Sequence, residues 1–254
     1  MGEDELQHNL LLGALPPAEM EKLRPRVEVV ELELRQSVYR PRRVIEGVYF
    51  PLSCVLSMVA ETEEHAVIEV ATVGFEGMVG LPLFLGSPTS PNSAFCQVPG
   101  RAARIEAAEL GEFLAQDGDL HRMLRRYTQT IMVQMAQNVA CNMTHIAEQR
   151  AARWLLTTAD RVRDNTFPLT QEFLAQMLGV RRTTVSEIAS KLQAEQLIRY
   201  SRGTMHIVDR AGLEQVTCGC YRTVRDEFDR LARESTGDGD TGSGAREAWE
   251  GESA

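Results

Sequence analysis

The chain has 254 residues, 27 basic against 36 acidic side chains, a formal net charge of −9, and is 43% hydrophobic and 25% charged. That composition is ordinary for a globular protein and excludes a wholly disordered or collagen-like chain. The charge argues against a protein that coats nucleic acid indiscriminately, and no run of ~18 apolar residues marks a membrane span.

In chain order, the start Met1-Gly2-Glu3-Asp4-Glu5 lacks the basic residues and apolar core of a signal peptide, so the expected compartment is the cytoplasm. Residues 9–24 have helical patterning with a Pro16-Pro17 turn inside. From Val27 the pattern changes to short strands: Val27 to Leu34, Val48 to Phe50, Cys54 to Val59, Ala66 to Val73, Ala94 to Val98 and Arg101 to Ile105. Gly47, Gly74, Gly77, Gly80, Gly86, Pro88 and Pro91 punctuate them. Many short strands separated by Gly and Pro predict a small β-sandwich or jelly roll over residues 1–118.

At Glu106 the period becomes helical, with a short helix to Gln116 and Asp119 as the expected N-cap of the next. No Gly or Pro follows until Pro168. Leu120, Leu124, Tyr127, Ile131, Met135, Val139, Asn142 and Ile146 step along one face of a long helix, and Met132, Ala136, Ala140 and Met143 form a second stripe. Two apolar stripes predict one face toward the helix's own domain and one toward a second chain; the first stripe is assigned as the homodimer seam within residues 119–149. A single core helix packed on one side would explain the first stripe alone.

Residues 150–234 form a third unit, opened by an amphipathic helix through Trp154 and Val162 and closed by a charged helix over 222–234. The last segment, 235–254, is rich in Gly, Ser and acidic residues and is expected to be disordered. The net charge is −8 over residues 1–149, +3 over 150–235 and −4 over 236–254. A basic module between acidic flanks is a weak pointer to nucleic acid.

The informative stretch is 168–210. Thr170 is the expected N-cap of a short helix whose apolar face is Phe173, Leu174, Met177 and Leu178, and Gly179 can end it in the left-handed conformation. Arg181-Arg182-Thr183-Thr184 opens a second helix with Val185, Ile188, Ala189 and Leu192 inward. Arg181, Arg182, Thr183, Ser186, Glu187 and Lys191 point outward, and these types suit phosphates and base edges. Two short strands around Ser201-Arg202-Gly203-Thr204 follow, so Arg199 and Arg202 lie on a wing near backbone phosphates. Helix, tight turn, polar helix and wing predict a winged helix-turn-helix. The candidate DNA-binding set is thus Thr170, Arg181, Arg182, Thr183, Thr184, Ser186, Glu187, Lys191, Arg199 and Arg202.

The stretch LTQEFLAQMLGVRRTTVSEIASKLQAEQLIRYSRGTMHI, with EQRAARWLLTTADRV before it and VGFEGMVGL in the β-region, resembles the Crp/Fnr family of bacterial transcription factors over roughly residues 9–233. The resemblance implies an α+β chain: a jelly-roll sensor domain, a long dimerisation helix and a C-terminal winged helix whose second helix enters the major groove. It implies double-stranded DNA with a two-fold symmetric operator as partner, a homodimer, and RNA polymerase if the protein activates. Family members commonly carry Arg where Glu187 stands. The effector pocket would map to Gly77, Met78, Val79, Gly80, Asn92 and Ser93. Cyclic-AMP binders place Glu at the Met78 position and Arg at the Asn92 position, and an uncharged Asn cannot make the charge-assisted pair a phosphodiester needs. The oxygen-sensing branch binds an iron–sulfur cluster through N-terminal cysteines, and none precedes Cys54. Neither cyclic AMP nor an iron–sulfur cluster is expected.

The five cysteines, Cys54, Cys96, Cys141, Cys218 and Cys220, are odd in number and scattered, which suits reduced thiols. Cys218-Gly-Cys220 is tighter than the usual spacing of paired zinc ligands, and the histidines form no HxxxH or HExxH pair, so no metal site is expected. No Gly-rich phosphate loop or GxSxG elbow is present, so an enzyme is not expected. The alternative from another class is a nucleotide-binding sensory module, with a cyclic-nucleotide-like effector domain, that acts mainly through protein contacts, its basic helix being incidental.

Overall fold

The computed structural model describes residues 5–63, 67–115 and 118–236. Two short helices, α1 (Leu10–Gly13) and α2 (Pro17–Leu23), lead into strands β1 (Val27–Leu32), β2 (Ser37–Tyr39), β3 (Gly47–Pro51), β4 (Val55–Glu61), β5 (Val67–Val73), β6 (Ser93–Val98) and β7 (Gly100–Glu106). The strands pair as two antiparallel sheets, β1-β7-β3 and β2-β6-β4-β5. Helices α3 (Leu81–Phe84) and α4 (Ala107–Leu114) complete this part.

The apolar positions of both sheets meet in one core: Val48 and Phe50 from β3, Leu56 from β4, Ala71 and Val73 from β5, Cys96 from β6, and Ala103 and Ile105 from β7 are fully buried. Each large aliphatic or aromatic side chain so covered contributes about 1.5–3 kcal/mol before chain entropy is counted. Asn9 is also fully buried. Its Oδ1 caps α1 by accepting from the Leu11 and Leu12 amides at 3.1 and 3.2 Å, and its Nδ2 donates to the Pro51 and Gly77 carbonyls at 3.0 and 2.9 Å. One polar side chain thus ties the N-terminal helices to the turn after β5.

The long helix α5 runs from Asp119 to Thr144. Asp119 is its first helical residue, not its cap. The Glu19 carboxylate on α2 accepts from the Asp119 and Leu120 amides at 2.8 and 2.9 Å, supplying from a distant element what a local cap would. The helix ends at Thr144, and His145 and Ile146 are extended before the next helix starts at Ala147, so it does not continue to 149. Asn142, Thr144 and His145 all have low helix propensity, which suits a stop without Gly or Pro.

The assignment of the two stripes on α5 is reversed in the structure. Leu120, Leu124, Tyr127 and Ile131, read from sequence as the dimer seam, are at most 1% exposed and belong to the protein's own β-core. Met135 packs partly against the same core, while Val139, Asn142 and Ile146 are exposed. The buried face continues from Ile131 through Gln134, Asn138 and Cys141. Gln134 and Asn138 donate to the Thr72 and Val70 carbonyls of β5 at 3.1 and 2.9 Å. The uncovered apolar stripe is Met132, Ala136, Val139, Ala140, Met143 and Ile146.

The C-terminal part comprises α6 (Ala147–Val162), β8 (Thr166–Pro168), α7 (Gln171–Leu178), α8 (Arg182–Ala194), β9 (Ile198–Ser201), β10 (Thr204–Ile207), α9 (Arg210–Val216) and α10 (Cys220–Thr236). It has its own core, to which Trp154, Phe173, Leu174, Val185, Leu192, Ile198 and Met205 contribute. Two joints hold it to the rest. Val224, Phe228 and Leu231 of α10 enter the first core beside α5. Phe173 of α7 meets Phe95 of β6 edge-on at 5.9 Å and Trp154 of α6 at 6.2 Å. Helix α10 runs on through Ser235 and Thr236, where disorder was expected from 235, and the rest of the acidic tail, from residue 237 onward, lies outside the described residues.

Candidate nucleic-acid interface

Helix α7 is set by its caps. The Thr170 hydroxyl accepts from the Phe173 amide at 3.1 Å, and Gly179 closes the helix with φ 62° and ψ 39°. Only Gly adopts that conformation without strain, so the tight turn is written at this position. Val180 packs partly into the core behind the turn. Helix α8 then starts at Arg182 with no side chain capping it, which leaves its first amides open to an anion. Its inner face, Val185, Ile188, Ala189 and Leu192, is buried, so rotation of the helix is fixed by packing.

The wing is a three-stranded antiparallel sheet in the order β8-β10-β9. Ser201 pairs with Thr204, so the hairpin loop is the two residues Arg202 and Gly203, with φ of 50° and 80°. Both residues are left-handed, as a type I′ turn requires. Arg at the first position is costlier than Asn or Gly, and it places a cation at the tip. Strand β8 was not legible as a strand: Thr166-Phe167-Pro168 is three residues long, and only Phe167 is buried. The Gln193 side chain of α8 accepts from the Tyr200 amide at 3.0 Å, fixing the wing to the helix.

Most of the candidate set is exposed. Arg181, Arg182, Thr183 and Glu187 of the second helix and Arg199 and Arg202 of the wing are exposed, while Thr184 and Ser186 are half-buried. Two sequence candidates have other duties. Thr170 is exposed, but its hydroxyl is occupied as the cap of α7. Lys191 is exposed on the last turn of α8, and its Nζ lies 2.8 Å from both carboxylate oxygens of Glu148 on α6. Lys191 is therefore paired with α6 in this structure; one-dimensional spacing could not show a partner 43 residues away.

A polar network that the sequence did not announce stiffens the domain. Asp160 of α6 accepts from the Tyr221 hydroxyl of α10 at 2.8 Å and pairs with Arg210 of α9, whose Nη2 also donates to Tyr221 at 2.7 Å. Burial pushes the Tyr221 phenol above its ordinary range, so it stays a donor.

The segment matched to an effector pocket is buried against the long helix. Gly77, Met78, Val79 and Gly80 are all buried, and Asn92 and Ser93 are half-buried. Tyr127 of α5 donates from its hydroxyl to the Met78 carbonyl at 2.9 Å. A Cβ at Gly77 would stand 2.5 Å from the Tyr127 ring, so Gly is required there for close approach. The neighbouring Glu76, 1% exposed, accepts from the Arg161 Nε of α6 at 2.6 Å and from the Gly74 amide at 3.1 Å. The acidic residue of this turn thus serves a buried ion pair between the two parts of the chain.

Residues 149–216 match the family model of the Crp-like helix-turn-helix domain. No curated protein sequence matches the chain. Among solved structures, a transcriptional regulator assigned to the Crp/Fnr family from Eubacterium rectale shares 17% identity at a TM-score of 0.64, covering 82% of this chain and 98% of that one. FixK2 from Bradyrhizobium japonicum shares 15% identity at 0.64, covering 76% and 98%. The c-di-GMP-responsive global regulator CLP from Xanthomonas campestris shares 17% at 0.61, covering 76% and 99%. These likenesses establish the fold, and the domain match establishes the helix-turn-helix. The chain carries a Crp-like helix-turn-helix domain at residues 149–216 within a fold shared with transcriptional regulators of the Crp/Fnr family.

Proposed function

We propose that the protein is a homodimeric, sequence-specific DNA-binding transcription regulator. The observation that carries this reading is the first turn of α8. There Arg181, Arg182 and Thr183 stand exposed, without a partner among the described residues, on a helix whose opposite face is locked into the core. Arg can bond guanine bidentately in the major groove, the open amides of α8 can hold a phosphate, and Arg199 and Arg202 on the wing can contact the backbone. Met132, Val139 and Met143 on α5, and Ile146 just beyond its end, are 59–82% exposed, and a second copy of the same helix is the partner such a stripe fits. RNA polymerase is a further partner if binding activates transcription.

The effector side of the proposal is that cyclic AMP is not the switch. The supporting observations are the Tyr127 ring against Gly77, the buried Met78 in place of a carboxylate, and Asn92 in place of a cation. Burying a phosphodiester charge without a cation costs several kcal/mol.

Fluorescence anisotropy with duplex DNA across a salt series tests the first part. A DNA-binding regulator loses affinity steeply with salt, because counterions are released on contact. A module that works only through protein contacts gives no such slope. Calorimetry with cyclic AMP and cyclic GMP tests the second: micromolar binding of either, coupled to tighter DNA binding, would overturn it.

A further inference from the structure

Cys141, His145, Cys218 and Cys220 come together where the long helix ends. Cys141 sits on the last turn of α5, and His145 is the extended residue that follows it. Cys218 and Cys220 flank the start of α10. Their sulfur and nitrogen ligand atoms all lie within 4.8 Å of one another. Cys141 Sγ is 3.5 Å from Cys218 Sγ, and Cys220 Sγ is 3.6 Å from His145 Nδ1. The three cysteines are buried and form a cluster of their own, apart from both hydrophobic cores.

We propose that these four side chains bind one zinc-type divalent ion in a tetrahedral Cys3His site. An ion at about 2.3 Å from sulfur and about 2.0 Å from nitrogen sets its tetrahedral ligands roughly 3.5–3.8 Å apart. The Cys141–Cys218 and Cys220–His145 pairs stand at 3.5 and 3.6 Å, and the whole set, within 4.8 Å, needs to close by no more than about 1 Å. A polynuclear iron–sulfur cluster spreads its four protein ligands over two or more irons and needs a wider nest than ligation of a single ion. A Cys141–Cys218 disulfide would account for one pair and leave Cys220 and His145 without a reason to converge. His145 presents Nδ1 to the cluster, so Nδ1 is the ligating atom and the other ring nitrogen keeps its proton.

The surroundings suit such a centre. Three thiolates on a divalent ion leave a net charge of −1. The buried Arg153 guanidinium acts electrostatically on Cys141, and its Nε has no hydrogen-bond partner among the described residues. Gln137 Nε2 lies 3.0 Å from Cys220 Sγ and donates to it, the kind of outer contact that orients a metal thiolate. Cys218 lines a surface hollow with Thr217, Gly219 and Tyr221, which gives an ion a way in. The ligands come from the end of α5, the link to α6 and the start of α10. The ion would fasten the last helix to the joint between the β-part and the helix-turn-helix domain.

The test uses the full chain purified under reducing conditions from zinc-supplemented cells. Elemental analysis should find one zinc per chain. Replacement by Co2+ should give a thiolate-to-cobalt charge-transfer band and intense tetrahedral d–d bands. Cys218→Ala and His145→Ala should weaken Co2+ binding at least 100-fold and Gln137→Ala about 10-fold. Cys96→Ala, outside the cluster, should keep one equivalent. Wild-type protein that carries less than a tenth of an equivalent and takes up no Co2+ overturns the proposal, whatever the variants do. Isolation of the reduced-purified chain with Cys141 and Cys218 as a disulfide overturns it as well.

Discussion

Val139 sits 66% exposed in the middle of the uncovered stripe on α5, so Val139→Glu should separate the protomers without unfolding them. Completing the burial of a side chain that is two-thirds exposed is worth about 1–2 kcal/mol, and two-fold symmetry counts it twice. The substitution also sets two carboxylates in the seam, which adds several kcal/mol of desolvation and repulsion. A total of about 4 kcal/mol or more corresponds to roughly a thousandfold weaker dimer. The side chain is solvated in the monomer, so the unfolding midpoint measured on dissociated protein should hardly move. Ile131→Ala gives the opposite signature. That residue is 1% exposed in the monomer's core, so its truncation should cost about 2–5 kcal/mol of fold stability and leave association intact. Sedimentation equilibrium over a wide concentration range reads the first effect, and urea unfolding the second. A Val139→Glu protein that dimerises like the wild type, or an Ile131→Ala protein that is fully stable but monomeric, would refute the seam assigned here.

Arg182→Ala should lose about 1–3 kcal/mol of binding and relax preference at one base pair per half-site, whereas Arg202→Ala should weaken all sequences alike and lower the salt slope by about one unit; competition binding at several salt concentrations separates the two. Glu76→Gln strands the buried Arg161 guanidinium and should cost about 3–5 kcal/mol, seen as a fall in thermal midpoint of roughly 6–20 °C. Glu69 concerns pH. The Ser57 hydroxyl lies 2.7 Å from a Glu69 oxygen and 2.6 Å from the Gln97 carbonyl oxygen, and its single proton can serve only one of them. A protonated Glu69 donating to Ser57, with Ser57 donating to Gln97 and Gln97 to Thr158 at 3.0 Å, satisfies the chain. Burial raises the Glu69 pKa above its ordinary 4.5. Its contribution to stability is therefore complete below that ordinary value and is lost as pH rises through the folded pKa. Glu69→Gln, which keeps a donor and an acceptor, should make stability fall less between pH 4 and 8; identical slopes for the two proteins would contradict this.

The helix-turn-helix and its wing were legible in the sequence because their determinants are local. Thr170 caps, Gly179 turns, and Arg202-Gly203 makes the two-residue hairpin, each acting over a few residues. The faces of α5 were not legible for a physical reason. The buried face keeps a strict alternation of four and three through Tyr127, Ile131, Gln134, Asn138 and Cys141. Apolar matching steps over Gln134 and Asn138, because polar residues are ordinarily solvated, and drifts to Met135 and Val139. Gln134 and Asn138 are buried because they donate to β5 carbonyls, a fact of tertiary packing alone. The cap of α5 by Glu19, the pairing of Lys191 with Glu148 and the convergence of Cys141 with Cys218 share that cause: each partner lies tens of residues away, beyond the reach of any local motif.

The central claim is that α8 reads a DNA sequence as part of a two-fold dimer. Selection of bound duplexes from a random pool with the purified protein tests it most directly. The expected result is enrichment of an inverted repeat whose half-sites lie about one helical turn, roughly 34 Å, apart, lost when Arg181 and Arg182 are both replaced by Ala. Recovery of no enriched sequence, or of a motif without two-fold symmetry that survives the double replacement, would contradict it.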